Sequence, residues 1–112
     1  MPKPWVLTRQ AETALAGIAA WTVETFGQRQ AEAYADDLIE ACQALAEGTA
    51  PSRSCRRLVD PALPEDLRYA RAGQHYVIFI DGPERMIVTD FLHVRMDLPG
   101  RLAMLGQDGQ GE

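Results

Sequence analysis

The stretch that decides the fold is residues 75–93, which read HYVIFIDGPERMIVTDFLH. Two runs rich in β-branched and aromatic residues, His75–Ile80 and Met86–His93, flank the sequence DGPE at 81–84. The residues of both runs favour strands, and Gly and Pro favour tight turns. The stretch therefore predicts an antiparallel β-hairpin.

A third strand is predicted just before this hairpin. Leu67–Arg71 is apolar and strand-length, and Ala72-Gly73-Gln74 supplies the turn into the hairpin, which makes an antiparallel meander. Side chains alternate between the two faces of a strand. We therefore expect arginines on both sides of this strand, and at least one arginine-bearing face of the sheet to stay open.

Two helices are predicted before the meander. Thr8 is placed to cap a helix over 9–26, and Gly27 can end it. A second apolar stripe runs from Ala31 to Leu45 and stops at Gly48, so the two helices should fold back on each other as a hairpin. The aromatic residues on or next to these helices are predicted to lie in the core: Trp5, Trp21 and Tyr34.

The remaining segments complete the predicted architecture. Pro4–Leu7 favours an edge strand or extended arm, whereas 49–64, with three prolines, indicates an irregular connector. The order is β-α-α-β-β-β, an α+β fold in which a helical hairpin packs on one face of an antiparallel sheet. Residues 1–105 form one domain, and the glycine-rich segment 106–112 is predicted to be a disordered tail.

Composition narrows the class of protein. The chain has 112 residues, 46% of them hydrophobic, and a formal net charge of −5, which excludes collagen-like and low-complexity proteins and argues weakly against binding nucleic acid through phosphates. No apolar run approaches membrane-spanning length, so we expect a cytoplasmic protein that does not bind membranes. The two cysteines, Cys42 and Cys55, fit no metal-ligand spacing and are expected to be reduced.

The element order and several local strings resemble the ParE toxins, within the RelE/ParE group of type II toxin–antitoxin systems. The resemblance covers residues 5–102. Its most specific string is Leu92-His93-Val94-Arg95-Met96-Asp97 at the end of the last strand; Phe26-Gly27-Gln28 and the run from Gly73 to Phe79 also match.

This resemblance implies a toxin that poisons DNA gyrase by binding it and that a ParD-like antitoxin neutralises in a hetero-oligomer. It implies no catalytic residue and no cofactor, and contact with nucleic acid only through the antitoxin or gyrase. The expected target-binding residues are Arg95, Met96, Asp97, Leu98, Arg101 and Leu102. The expected antitoxin-binding residues are Trp5, Arg68, Arg71 and Tyr76.

Two alternatives stay open. A RelE-type ribosome-dependent mRNA endoribonuclease would use His93 as a base with Arg68 and Arg71 around the phosphate. A non-toxic antitoxin-binding module of the same fold would have lost the target-binding residues.

Several candidate residues also have structural interpretations. His93 is expected to hydrogen-bond the loop at 95–97, and His75 to be structural. Arg68 either pairs with Asp90 or Asp97 or clamps a partner's carboxylate. Two histidines 18 residues apart, without a clustered third ligand, do not predict a metal site. The basic cluster of the connector indicates a solvated loop that could also meet an acidic partner: Arg53, Arg56 and Arg57.

Overall fold

A computed structural model describes residues 3–55 and 66–95 of the chain. The elements are β1 (Trp5–Leu7), α1 (Arg9–Phe26), α2 (Gln28–Glu47), β2 (Arg53–Ser54), β3 (Leu67–Ala72), β4 (His75–Asp81) and β5 (Met86–His93). Two helices pack on a five-stranded sheet, which confirms the predicted α+β fold. The end of the predicted domain and the predicted tail lie outside the described residues.

The sheet has the strand order β1-β5-β4-β3-β2. The meander is antiparallel as predicted, but β1 pairs parallel to β5, with Trp5 opposite Met86. The connector that was predicted to be irregular contributes β2, whose Arg53 lies opposite Tyr69. Residue patterns indicate that a segment is extended but not which neighbour it pairs with, so the sequence could not reveal the mixed character of the sheet.

A β-bulge at Thr89 changes the alternation of β5. Phe79 lies opposite Val88 and Ile78 opposite Asp90, so Thr89 is an extra residue between two regular pairs. Before the bulge, Met86 and Val88 pack towards the helices, and after it Phe91 does so. The bulge thus keeps Met86, Val88 and Phe91 on the helix side of the sheet and Leu92 in a buried position on the other face.

The start of α1 is bonded to this bulge. The Thr8 N–H donates to the Val88 carbonyl at 2.9 Å, and the Thr8 hydroxyl donates to the Thr89 carbonyl at 3.1 Å. The same hydroxyl oxygen accepts from the Ala11 N–H at 3.1 Å, which confirms the predicted N-cap. Thr8 therefore joins helix and sheet at one point.

Apolar residues are buried on both faces of the sheet. The cluster between helices and sheet contains Leu38, Phe79 and Val88, each at most 2% exposed. A second cluster on the opposite face contains Cys55, Leu67, Ile78 and Leu92. The expectation of an open arginine-bearing face is therefore right only at its margin, where Arg71 is exposed, because the middle of that face is buried.

The core prediction for aromatic residues is wrong for Trp21. Its side chain is 57% exposed and meets Phe26, itself 62% exposed, edge to face with ring centroids 6.0 Å apart. Trp5 and Tyr34 pack at the margin of the helix-side cluster as partly buried side chains. The helical period of α1 includes Trp21, but the buried residues of α1, Ala11 and Thr22, lie about 80–100° around the helix axis from it.

Both cysteines are buried free thiols in the structure. Cys42 belongs to the cluster under the helices and Cys55 to the cluster on the other face, so the sheet separates them. Burial raises the pKa of Cys42 to about 12. Burial also raises the pKa of Cys55, to about 11, although the charge of Arg68 acts to lower it. Among the described residues, no helix is long and apolar enough to cross a membrane.

Replacing Thr8 tests its joining role. We expect Thr8→Ala to lower the free energy of unfolding by about 1–2 kcal/mol, because both the helix cap and the bond to the bulge disappear, whereas Thr8→Ser should stay close to wild type. Chemical denaturation measures the change. Thr25→Ala is the control, since it removes a hydroxyl that bonds only Trp21 within an exposed helix turn. Equal losses for Thr8→Ala and Thr25→Ala would contradict the assignment.

Candidate functional site

The candidate site is a groove along the outer edge of β3, which we call the β3 groove. It has a volume of about 480 Å³. Its lining comes from α2, from the segment before and into β2, and from β3 and β4: Ala41, Leu45, residues 50–53, residues 69–72, Tyr76 and Val77. Two exposed guanidinium groups and two phenol rings thus line it on one face of the sheet, and aliphatic side chains line it on the helix side.

The groove exists because β2 covers only part of β3. Asp81 N–H donates to the Asp66 carbonyl at 2.8 Å, so even-numbered residues of this strand face β4 and odd-numbered ones direct their backbone groups to the outer edge. Arg53 pairs with Tyr69 there. Within the described residues, no strand pairs with Arg71, the next outward residue, and its N–H and C=O are available to an added strand.

The side chains of the β3 groove suit an acidic, extended peptide. Arg71 lies directly across from Tyr76, whose ring meets that of Tyr69 edge to face at 5.8 Å. Arg53 and Arg71 are exposed, and Arg71 Nε donates to the nearby Gly73 carbonyl at 3.1 Å. Guanidinium groups bind carboxylates in bidentate fashion, and phenol rings supply apolar contact area with a polar end.

Two of the expected antitoxin-binding residues are placed differently. Arg68 is bonded within the chain, with Nε donating to Ser52 Oγ at 2.7 Å and Nη2 to the Ser52 carbonyl at 2.9 Å, rather than to the expected Asp90. Trp5 lies on β1, three strands or about 14 Å from β3, and its indole N–H donates to Gln43 Oε1 at 2.8 Å. Only Arg71 and Tyr76 of the expected set are brought together in the β3 groove.

Tyr34 connects α2 to the turn between β3 and β4. Its hydroxyl oxygen accepts from the Gln74 N–H at 3.0 Å and lies 2.6 Å from His75 Nδ1. Burial and then the neighbouring His93 lower the pKa of His75, so its ring is neutral at pH 7. The contact of His75 with the Tyr34 hydroxyl holds this buried ring against α2, which confirms the structural role expected for His75.

His93 has the role expected from the sequence. Its Nδ1 accepts a hydrogen bond from the Arg95 N–H at 3.0 Å, so the ring holds the chain where it leaves β5. The rings of His75 and His93 meet edge to face at 5.1 Å. Arg95 is exposed; the other expected target-binding residues, Met96, Asp97, Leu98, Arg101 and Leu102, lie outside the described residues.

The three residues of the ribonuclease alternative do not converge. His93 follows the helix-side residue Phe91 by two positions, whereas Arg71 lies across from Tyr76 on the opposite face. Ala72 is the β3 residue in register with His93, and Arg68 lies four residues, or about 13 Å, along β3 from it. Among residues 3–55 and 66–95, no three His, Cys, Asp or Glu side chains are grouped to hold a metal ion.

Sequence reasoning missed part of the β3 groove. It placed Arg53 in a solvated loop that could meet an acidic partner, without linking it to β3, and it did not include Ala41 or Leu45. These residues meet β3 only through the short strand β2 and the packing of α2. Extended residues around Arg53-Ser54 are too few to indicate a strand. The one available signal was that Tyr69 and Arg71, two positions apart in β3, lie on the same face of the strand.

The pKa of His75 makes stability depend on pH. The pKa of His75 in the folded state lies below the unfolded value of about 6.5. As the pH falls, the unfolded chain therefore binds the proton first, and the free energy of unfolding declines. We expect wild type to lose more free energy of unfolding between pH 7.5 and pH 5 than His75→Asn, whose amide oxygen can replace Nδ1 without titrating. Denaturant titrations at both pH values measure this, and identical pH dependences would refute it.

Both the sequence and the fold are similar to those of known proteins. A sequence profile described as "ParE toxin of type II toxin-antitoxin system, parDE" matches residues 6–98. A relative from Escherichia coli, "Toxin ParE", is 37% identical over 100 residues, which cover 88% of this chain and 92% of the relative. A solved structure, "Chromosomal ParDE TA system from P. aeruginosa", superimposes with a TM-score of 0.65 at 16% identity, over 82% of this chain and 96% of that one.

The structural similarity supports the fold alone, since the identity is low. The profile covers most of the chain, including both helices and the whole meander, and the Escherichia coli relative matches over nearly its full length. On these two findings the chain belongs to the ParE toxin family and is the toxin component of a type II toxin–antitoxin system.

Proposed function

We propose that this toxin acts in the cytoplasm by binding DNA gyrase and that it performs no catalysis of its own. Gyrase poisoning is the known role of the family. The observation that carries the absence of catalysis is the separation of His93, Arg71 and Arg68 over two faces and different levels of the sheet. A ribonuclease needs its base and its cations around one phosphate.

The antitoxin is proposed to bind in the β3 groove. An antitoxin segment that enters as an added strand would bond the open backbone of Arg71 and place carboxylates near Arg53 and Arg71. Its apolar side chains would contact Tyr69 and Tyr76 on one face of the sheet or the aliphatic lining on the helix side. Such a segment orders as it binds, which suits a partner that wraps its toxin.

The target-binding segment is proposed to begin at Arg95. His93 fixes the direction of the chain at this residue, whose side chain is exposed. The segment that follows carries the remaining expected target-binding residues. Gyrase and antitoxin would then use separate surfaces, one where β5 ends and the other along the edge of β3.

Charge reversal in the β3 groove tests the antitoxin proposal. We expect the Arg53→Glu/Arg71→Glu variant to bind the cognate antitoxin at least ~10-fold more weakly by calorimetry, because two attractive pairs become repulsive. Its gyrase poisoning should persist. Arg85→Glu, an exposed reversal in the loop between β4 and β5, is the control and should bind as wild type does. Unchanged antitoxin affinity in the double variant would place the antitoxin elsewhere.

The target is tested by adding the purified chain to a gyrase supercoiling assay and to a ribosome-dependent mRNA cleavage assay. We expect accumulation of gyrase-cleaved DNA that the antitoxin relieves, and intact mRNA. Arg95→Glu/Arg101→Glu should lose this effect while keeping its antitoxin affinity. Cleaved mRNA with unaffected gyrase would establish the ribonuclease alternative. No effect in either assay would favour the non-toxic module.

A further inference from the structure

The outward surface of α1 is unusually poor in charge. From Thr13 to Val23, eleven consecutive residues carry no charged side chain. Several of them are nevertheless exposed, and Trp21 and Val23 are 57% and 44% exposed. Solvent-facing helix surfaces ordinarily carry charged residues, so an exposed, uncharged helix face indicates a surface that another protein covers.

A single stripe of α1 lies opposite its buried side. At 100° per residue, the members of this stripe fall within an arc of about 100°, and the buried residues Ala11 and Thr22 lie on the other side of the helix. We call it the α1 stripe: Arg9, Thr13, Ala16, Gly17, Ala20 and Glu24. All six residues are exposed, and the four in the middle are small.

The α1 stripe is complementary to itself when one copy is reversed. In an antiparallel pair of helices centred between Ala16 and Gly17, the stripe residues face one another in turn: Arg9 opposite Glu24, Thr13 opposite Ala20, and Ala16 opposite Gly17. The charges at the ends are opposite, and the small residues at the centre let the two helices approach closely. A Cβ added at Gly17 would meet no atom within 4 Å, so this centre is open.

The end charges oppose the dipole of their own helix. Arg9 begins α1, where the helix dipole is positive, and Glu24 lies in its last turn, where the dipole is negative. Among the described residues, neither forms an ion pair. A reversed second helix would bring an acidic residue and the negative dipole end to Arg9, and a basic residue and the positive dipole end to Glu24.

We propose that the α1 stripe is a self-association surface, on which a second copy of this chain docks antiparallel. This surface is independent of the proposed function, because it is defined by the order of charges and small residues along α1. An antitoxin helix is the other conceivable occupant, but only the second copy is known to carry the reversed charge order. A contact through one helix is small, so the dimer should be weak and in exchange with monomer.

Charge swapping tests the proposal on the full chain. Sedimentation equilibrium over micromolar concentrations is expected to show a monomer–dimer equilibrium for wild type. Arg9→Glu and Glu24→Arg should each weaken it about 10-fold, since symmetry converts both attractive pairs into repulsive ones. The Arg9→Glu/Glu24→Arg double variant should regain dimerisation. Asp36→Arg, an exposed reversal on α2, should behave as wild type does.

Three results would overturn the proposal. A wild-type chain that stays monomeric throughout would exclude self-association, and single variants that dimerise as wild type does would exclude the α1 stripe. Single variants that weaken antitoxin binding without changing self-association would assign the α1 stripe to the antitoxin. Circular dichroism of each variant checks that α1 is intact, so that loss of dimerisation is distinguished from loss of the fold.

Discussion

The attachment of α1 to the bulge in β5 is the constraint on which the rest of the fold depends. A regular strand would point Asp90 and Leu92 towards the helices together with Val88, since side chains alternate. An unpaired carboxylate buried under the helices would cost several kcal/mol. The extra residue at Thr89 instead places Phe91 there, while Asp90 bonds the Phe91 N–H and Leu92 joins the opposite cluster. Thr8 holds this arrangement through two bonds to the bulged backbone.

Local features of the fold were predictable because their causes are local. The cap at Thr8, the limits of α1 and α2 at Gly27 and Gly48, and the turns of the meander all follow from residues within one turn of the feature. The parallel pairing of β1 with β5 and the bonds of Thr8 to the bulge join residues about 80 positions apart. The pattern of residue types along the sequence does not predict such long-range contacts.

The candidate site was less predictable for a related reason. Arg71 and Tyr76 face each other across a tight hairpin, so their proximity follows from the turn. Arg53 and Leu45 reach the same groove only after α2 and β2 have packed against β3. Trp21 is the opposite case, in which a helical period suggested burial although the helix contacts the sheet through a different arc. Sequence periodicity identifies an apolar side chain, but the packing of the whole helix decides whether it is covered.

The parallel pairing of β1 with β5 also bears on when the protein can fold during its synthesis. The helical hairpin is complete in sequence by Glu47 and consists of contacts between neighbouring segments. β1 has no strand to pair with until Met86–Val88 have left the ribosome, almost forty residues later. Closing a loop of this length is slow compared with forming helices, so the nascent chain first holds an αα-hairpin without its sheet. The surface of the finished toxin arises only in the last step of folding.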